Sequence, residues 1–113
     1  MRDHSELTLR KQSDFARVYN RGKSAGSKFV VVLFKKNNLE YSRTAFVASK
    51  KVGNSVCRNR ARRLMRAAYH NIHSKLSSGY DIVFVARAGI TEIKESEVEK
   101  SMFGAVRAAG LFI

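Results

Sequence analysis

The sequence predicts an α+β two-layer sandwich with elements in the order α-β-β-α-β-α. Three observations carry that prediction. Short apolar runs rich in β-branched and aromatic residues, Phe29–Phe34 and Tyr80–Arg87, are too short for helices and read as strands. The stretch from Ser55 to about His73 repeats its apolar residues at helical spacing. Charge is also segregated: Lys50 to Arg66 holds seven Lys or Arg and no acid, whereas four of the nine acids fall between Glu92 and Glu99.

Residues 1–8 are polar, lack periodicity and are expected to fray. Ser13-Asp14 offers an N-cap and Gly22 a C-cap around a first helix, whose apolar positions are Phe15, Val18 and Tyr19. Ser24 to Lys28 reads as a loop. The Phe29–Phe34 strand then ends in the turn Lys35-Lys36-Asn37-Asn38. Arg43–Ser49 is a second strand, and the short connection predicts an antiparallel hairpin.

Asn54 or Ser55 caps the next helix. Its apolar stripe is Cys57, Ala61, Leu64, Met65, Ala68 and Ile72, which share one face at about 100° per residue. Arg58, Arg62, Arg63 and Arg66 fall on the other side with Asn59 and His70, and Arg60 lies near the edge. Ser77-Ser78-Gly79 breaks the chain before the Tyr80–Arg87 strand. A last helix covers roughly Ile93 to Ala109, with Glu95, Glu97 and Glu99 in its first turns, where acids suit the helix dipole. This acidic face reads as merely solvated.

A length of 113 residues fits one domain, 1–113, with one modest core. The formal net charge of +13, from 22 Lys and Arg against 9 Asp and Glu, opposes compaction by self-repulsion. A polyanionic partner offsets that repulsion, and nucleic acid is the commonest candidate. One cysteine, Cys57, excludes an intrachain disulfide and a Cys metal cluster, and its place on the apolar stripe makes it core rather than nucleophile. No apolar stretch reaches the length of a membrane span, and the first residues do not form a signal peptide, so a cytoplasmic protein is expected.

No paired acid and base stands out, and His4, His70 and His73 form no ligand set; His70 and His73 read as surface histidines. The strong signal is the basic helix. Guanidinium forks at Arg58, Arg62, Arg63 and Arg66 suit successive phosphates. Asn59 could contact a base edge or a 2′-hydroxyl. Asn54 and Ser55 open the helix beside Lys50 and Lys51, at an end suited to anions. A merely solvated cationic face is the bland alternative, but seven cations without an acid repel one another at a cost that solvation alone does not explain. For Phe15 and Tyr19 the residues alone favour a staple between helix and sheet over stacking on bases.

The block Ser49-Lys50-Lys51-Val52-Gly53-Asn54-Ser55-Val56-x-Arg58-Asn59-Arg60-x-Arg62-Arg63-Leu64-x-Arg66 resembles the signature of the protein subunit of bacterial ribonuclease P. The resemblance extends to Asp14-Phe15-x-x-Val18-Tyr19-x-x-Gly22, the Phe29 strand and Asp81–Arg87. It implies an accessory subunit, without catalytic residues, that assists a catalytic RNA in removing the 5′ leader of precursor tRNA. The implied partners are ribonuclease P RNA and precursor tRNA, with no membrane and no DNA. No cofactor is expected on the protein alone, and Mg2+ is expected for the holoenzyme. Carried over by position, Lys50, Lys51, Asn54, Arg58, Asn59, Arg60, Arg62, Arg63 and Arg66 would face the RNA subunit. Phe15, Arg17, Tyr19, Phe29 and Val32 would face the leader, which reverses the staple reading of Phe15 and Tyr19. Val32 stands where relatives commonly carry an aromatic, which leaves that contact either weaker or supplied by Phe34. The resemblance also implies a left-handed βαβ crossover, against the general right-handed preference, and a four-stranded sheet, with the first strand split near Val32. The alternative is a structural RNA-binding protein of ribosomal type. A DNA-binding helix-turn-helix module fits less well, because a strand rather than a partner helix precedes the basic helix.

Overall fold

The computed structural model describes residues 8–113. Helix α1 spans Gln12–Arg21, and strands β1 (Lys23–Gly26), β2 (Val30–Lys36) and β3 (Arg43–Val47) follow. Helix α2 covers Ser55–Ile72, strand β4 Tyr80–Ala86 and helix α3 Glu95–Ala109. Single 3₁₀ turns at His73–Lys75 and Ile90–Glu92 flank β4. Among the described residues, no helix is long and apolar enough to cross a membrane.

The four strands lie in the order β1-β2-β4-β3. β4 is antiparallel to β2, with Val32 opposite Phe84, and parallel to β3, with Phe46 opposite Phe84. The expected hairpin of the second and third strands is therefore not formed, because β4 lies between them. Its run Ile82-Val83-Phe84 is fully buried, as a strand covered on both faces requires. The parallel pair β3 and β4, joined through α2, makes the βαβ unit.

The fourth strand comes from Lys23–Gly26, within the stretch read as a loop. Its residues lack an apolar pattern, and backbone pairing with Val31–Phe34 defines it. β2 runs unbroken through Val32, so the split near that residue does not occur. Gly22 joins α1 directly to β1. A Cβ there would collide with the Val18 carbonyl oxygen and lie 2.7 Å from that of Phe34, so only glycine fits.

Alternation along the strands gives the sheet two apolar faces. Val30, Val32, Ile82, Phe84 and Ala86 point to one side and pack with Ala61, Leu64, Met65, Ala68 and Ile72 of α2 and Val98, Met102, Ala105 and Val106 of α3. Ala45 and Val83 point to the other side and pack with Leu9 and with Val18 of α1, flanked by half-buried Phe15, Leu33, Val47 and Val85. Cys57 is half-buried at the start of the α2 stripe.

Asp14 does not cap α1: the helix starts at Gln12 after Lys11, without a side-chain cap. Asp14 is instead buried and accepts from Arg17 at 3.1 Å and from Arg43 at 3.3 Å. Arg43 also forks onto both oxygens of buried Asp81, at 2.8 and 2.7 Å. Asn37 donates to Asp81 at 3.0 Å. The Arg43 guanidinium is held above its ordinary pKa mainly by its hydrogen bonding to Asp81, against the effect of burial. This ionic cluster ties α1, β3 and β4 together. Of residues 1–8, expected to fray, residues 1–7 lie outside the described residues; Thr8 bridges to Thr44 beside β3.

Candidate RNA-binding surfaces

α2 starts where Gly53 adopts φ 145°, a conformation L-residues rarely reach, and a Cβ there would lie 2.9 Å from that of Cys57. The Asn54 side chain then accepts from the Cys57 N–H at 3.0 Å and caps the helix. Loss of that cap in Asn54→Ala is expected to cost about 1 kcal/mol, read as a lower urea midpoint at unchanged slope.

Burying the Ala61–Leu64–Met65–Ala68 stripe fixes the rotation of α2 and turns the opposite side outward. Arg60, Arg63 and Arg66 are exposed, as are Asn59, Lys50 and Lys51, while Arg58 and Arg62 are half-buried. Arg58, Arg62 and Arg66 follow at four-residue intervals, neighbours on one helix row. Arg62 donates to Asn59 Oδ1 at 2.8 Å, and the Arg66 guanidinium lies 5.4 Å from the centre of the Phe46 ring. The ion pairs among the described residues join Arg17 and Arg43 to Asp14 and Asp81, so none neutralises a cation of this face. The face offers uncompensated guanidinium and ammonium groups, which suits a chain of phosphates.

The second surface lies across the sheet. Phe15 and Tyr19 stack one turn apart on α1, with ring centres 6.4 Å apart and planes within 21°. Tyr19 is 50% exposed. Partial burial raises its phenol pKa, so it stays protonated. Arg17 is exposed beside them and held by Asp14.

Phe29 and Val32 do not join this surface. Val32 is 0% exposed and points into the core under α2 and α3. Phe29 packs on that same core, and its N–H donates to Ser101 Oγ of α3 at 3.1 Å. Phe34 also packs on that side, against Tyr80, and so cannot substitute. The β2 residues on the α1 side are Val31, Leu33 and Lys35. Alternation along the strand puts position 32 on the face that packs under α2 and α3.

A groove of about 590 Å³ lies beside β3, between the first helix and the sheet, where Thr8 bridges to Thr44. Phe15, Ser42, Arg66, Tyr69, His70 and His73 contribute to its walls. No local motif signals it, because its residues come from the N-terminal segment, α1, β3 and the far end of α2. Among the described residues, no group of three or more His, Cys, Asp or Glu is placed to share a metal ion.

The sequence model of the Ribonuclease P family matches residues 4–110. The chain is 42% identical over 106 residues to the ribonuclease P protein component of Clostridioides difficile, covering 93% of each chain. It is 41% identical over 103 residues to that of Alkaliphilus metalliredigens, covering 91% of this chain and 93% of the other. A solved structure of the RNase P protein of Staphylococcus aureus superposes with a TM-score of 0.84 at 27% identity, covering 95% of this chain and 98% of that one.

Proposed function

The chain belongs to the ribonuclease P protein family, and on that premise we propose how its two surfaces divide the work. As a ribonuclease P protein component it is an accessory subunit of the endoribonuclease that processes precursor tRNA, and the catalysis belongs to the RNA subunit. We assign the α2 face, namely Lys50, Lys51, Asn54, Arg58, Asn59, Arg60, Arg62, Arg63 and Arg66, to the ribonuclease P RNA. We assign Phe15, Arg17 and Tyr19 to the single-stranded leader of precursor tRNA, where aromatic faces stack on unpaired bases without regard to sequence. The observation that carries the division is spatial: the acid-free cationic helix and the aromatic pair of α1 lie on opposite sides of one sheet. One small domain can thus hold a structured RNA and a flexible strand at once.

In this reading the magnesium ions of the holoenzyme sit on the RNA and substrate phosphates. The protein acts by neutralising phosphate repulsion that magnesium would otherwise have to screen, and it works in the cytoplasm alongside its tRNA substrates. Adding the protein to a bacterial ribonuclease P RNA at low magnesium is therefore expected to restore cleavage of precursor tRNA. Absence of stimulation would overturn the reading. Phe15→Ala is expected to weaken precursor tRNA binding by about tenfold, as loss of one stacked base does, with mature tRNA unaffected. Equal losses for both would remove Phe15 from the leader surface.

A further inference from the structure

The outer face of α3 differs in character from the two RNA-binding surfaces. From Glu92 onward the chain carries four acids against three bases, within a protein of net charge +13. That balance does not suit a chain of phosphates. The same stretch bears an apolar patch. Phe103 is 39% exposed and Ile113 90% exposed, and half-buried Phe112 lies against Phe103 with ring centres 4.6 Å apart. Backbone pairing holds the patch in place. Leu76 and Phe112 form a β-bridge, and the Ile113 N–H donates to the Lys75 carbonyl oxygen at 2.9 Å. With Ser74, Lys75 and Arg107, these three side chains line a groove of about 580 Å³. Exposed apolar side chains gathered together and rimmed by polar groups mark a protein-binding surface.

Charge placement identifies the partner. Glu99, Phe103 and Arg107 follow at four-residue intervals and form one row along α3. Phe103 is the midpoint of that row, with an acid at one end and a base at the other, about 12 Å apart along the axis. A second α3 laid antiparallel on the row sets Phe103 against Phe103 on a two-fold axis. The same register sets each Glu99 against the Arg107 of the other copy. Both ion pairs form at once, as a self-complementary contact requires. A purely acidic partner would meet Glu99 as well as Arg107, whereas a second copy satisfies both. Glu99 already accepts from Asn71 Nδ2 at 3.2 Å, and a carboxylate has further acceptor sites for a guanidinium. That bond also places Glu99 beside the last turn of α2, beyond the arginines assigned to RNA. Exposed Lys100 lies nearly opposite the buried Val98–Met102–Ala105–Val106 stripe and so stays toward solvent.

We propose that this α3 face joins two copies of the protein in an antiparallel, two-fold pair centred on Phe103. The inference does not depend on how RNA is divided between the other two surfaces. One helix pair with its flanking groove is a small interface, so a weak dimer is expected, with a Kd on the order of 10–100 µM.

Sedimentation equilibrium of the full chain tests it at about 0.15 M salt, where exposed charges more than about 8 Å apart are largely screened. The wild type is expected to pass from monomer to dimer across that concentration range. Glu99→Arg sets like charges opposite each other in both pairs, and so does Arg107→Glu. Each variant alone is expected to dimerise at least roughly tenfold more weakly. An equimolar mixture of the two variants is expected to regain the wild-type dimer, because in the mixed pair every acid again faces a base. Mixing would not restore a variant that had failed to fold, so this rescue separates pairing from misfolding. A wild type that stays monomeric up to about 1 mM overturns the inference. So does a wild-type dimer that both single variants form as tightly, or one that the mixture does not regain.

Discussion

Replacing Arg58, Arg62, Arg63 and Arg66 together with alanine is expected to weaken assembly with ribonuclease P RNA by about 10³-fold, at about 1 kcal/mol for each lost charged contact. The plot of log affinity against log salt is expected to become shallower by about three, since each phosphate contact contributes somewhat less than one to the slope. The same variant is expected to fold at least as well as the wild type. All four side chains lie outside the fully buried core. Alanine is a better helix former than arginine, and the change removes like-charge neighbours at Arg58–Arg62 and Arg62–Arg66. Loss of the Arg66 contact with Phe46 offsets that gain by about 0.5–1 kcal/mol. Anisotropy titrations at several salt concentrations read the first effect, and a thermal melt reads the second. An unchanged slope would show that these guanidinium groups do not meet phosphates.

The second large effect concerns stability. Asp81→Ala is expected to cost about 3 kcal/mol, the usual result of breaking a buried pair by removing one partner. Asp81 is 2% exposed and accepts both arms of the Arg43 fork and one bond from Asn37. Without it, Arg43 retains only the longer contact with Asp14 at 3.3 Å. Asp14→Ala, which leaves the fork intact, is expected to cost about 1 kcal/mol. Urea unfolding of the two variants side by side checks the ordering. Equal losses would show that the fork is not the main tie. Asp14→Ala also frees Arg17 and loosens α1 on the sheet, so it should weaken leader binding more than its small cost in stability suggests.

These cases show what the chain reveals in one dimension. α2 was legible from its cap to its cationic face, because a helix sorts its residues by local spacing alone. The last helix is legible for the same reason, and β4 because its β-branched and aromatic run is too short for a helix. Strand order was not. A short connection between β2 and β3 suggested pairing, but pairing is set by which strand is apolar on both faces, and that is β4. Its Ile82-Val83-Phe84 run carries that signal, because three successive buried residues face both sides of the sheet. β1 left no apolar trace, because an edge strand can be held by backbone pairing alone. The spacing of Phe15 and Tyr19 puts both on one face of α1, whereas the resemblance carries no information on which face of β2 Val32 occupies. Asp14 looks like a cap in the sequence because its partner Arg43 is remote along the chain and adjacent only after folding.

The central position of β4 has a consequence for how the molecule is made. β2 and β3 share no hydrogen bonds with each other, and both complete their pairing on a strand that follows them in the chain. A ribosome that has released residues up to Ile72 has produced an edge pair, an isolated strand and a finished helix with nowhere to dock. Closure of the sheet waits for Tyr80–Ala86, and contacts of such sequence separation form slowly. The basic helix is thus synthesised before the strand on which it is mounted.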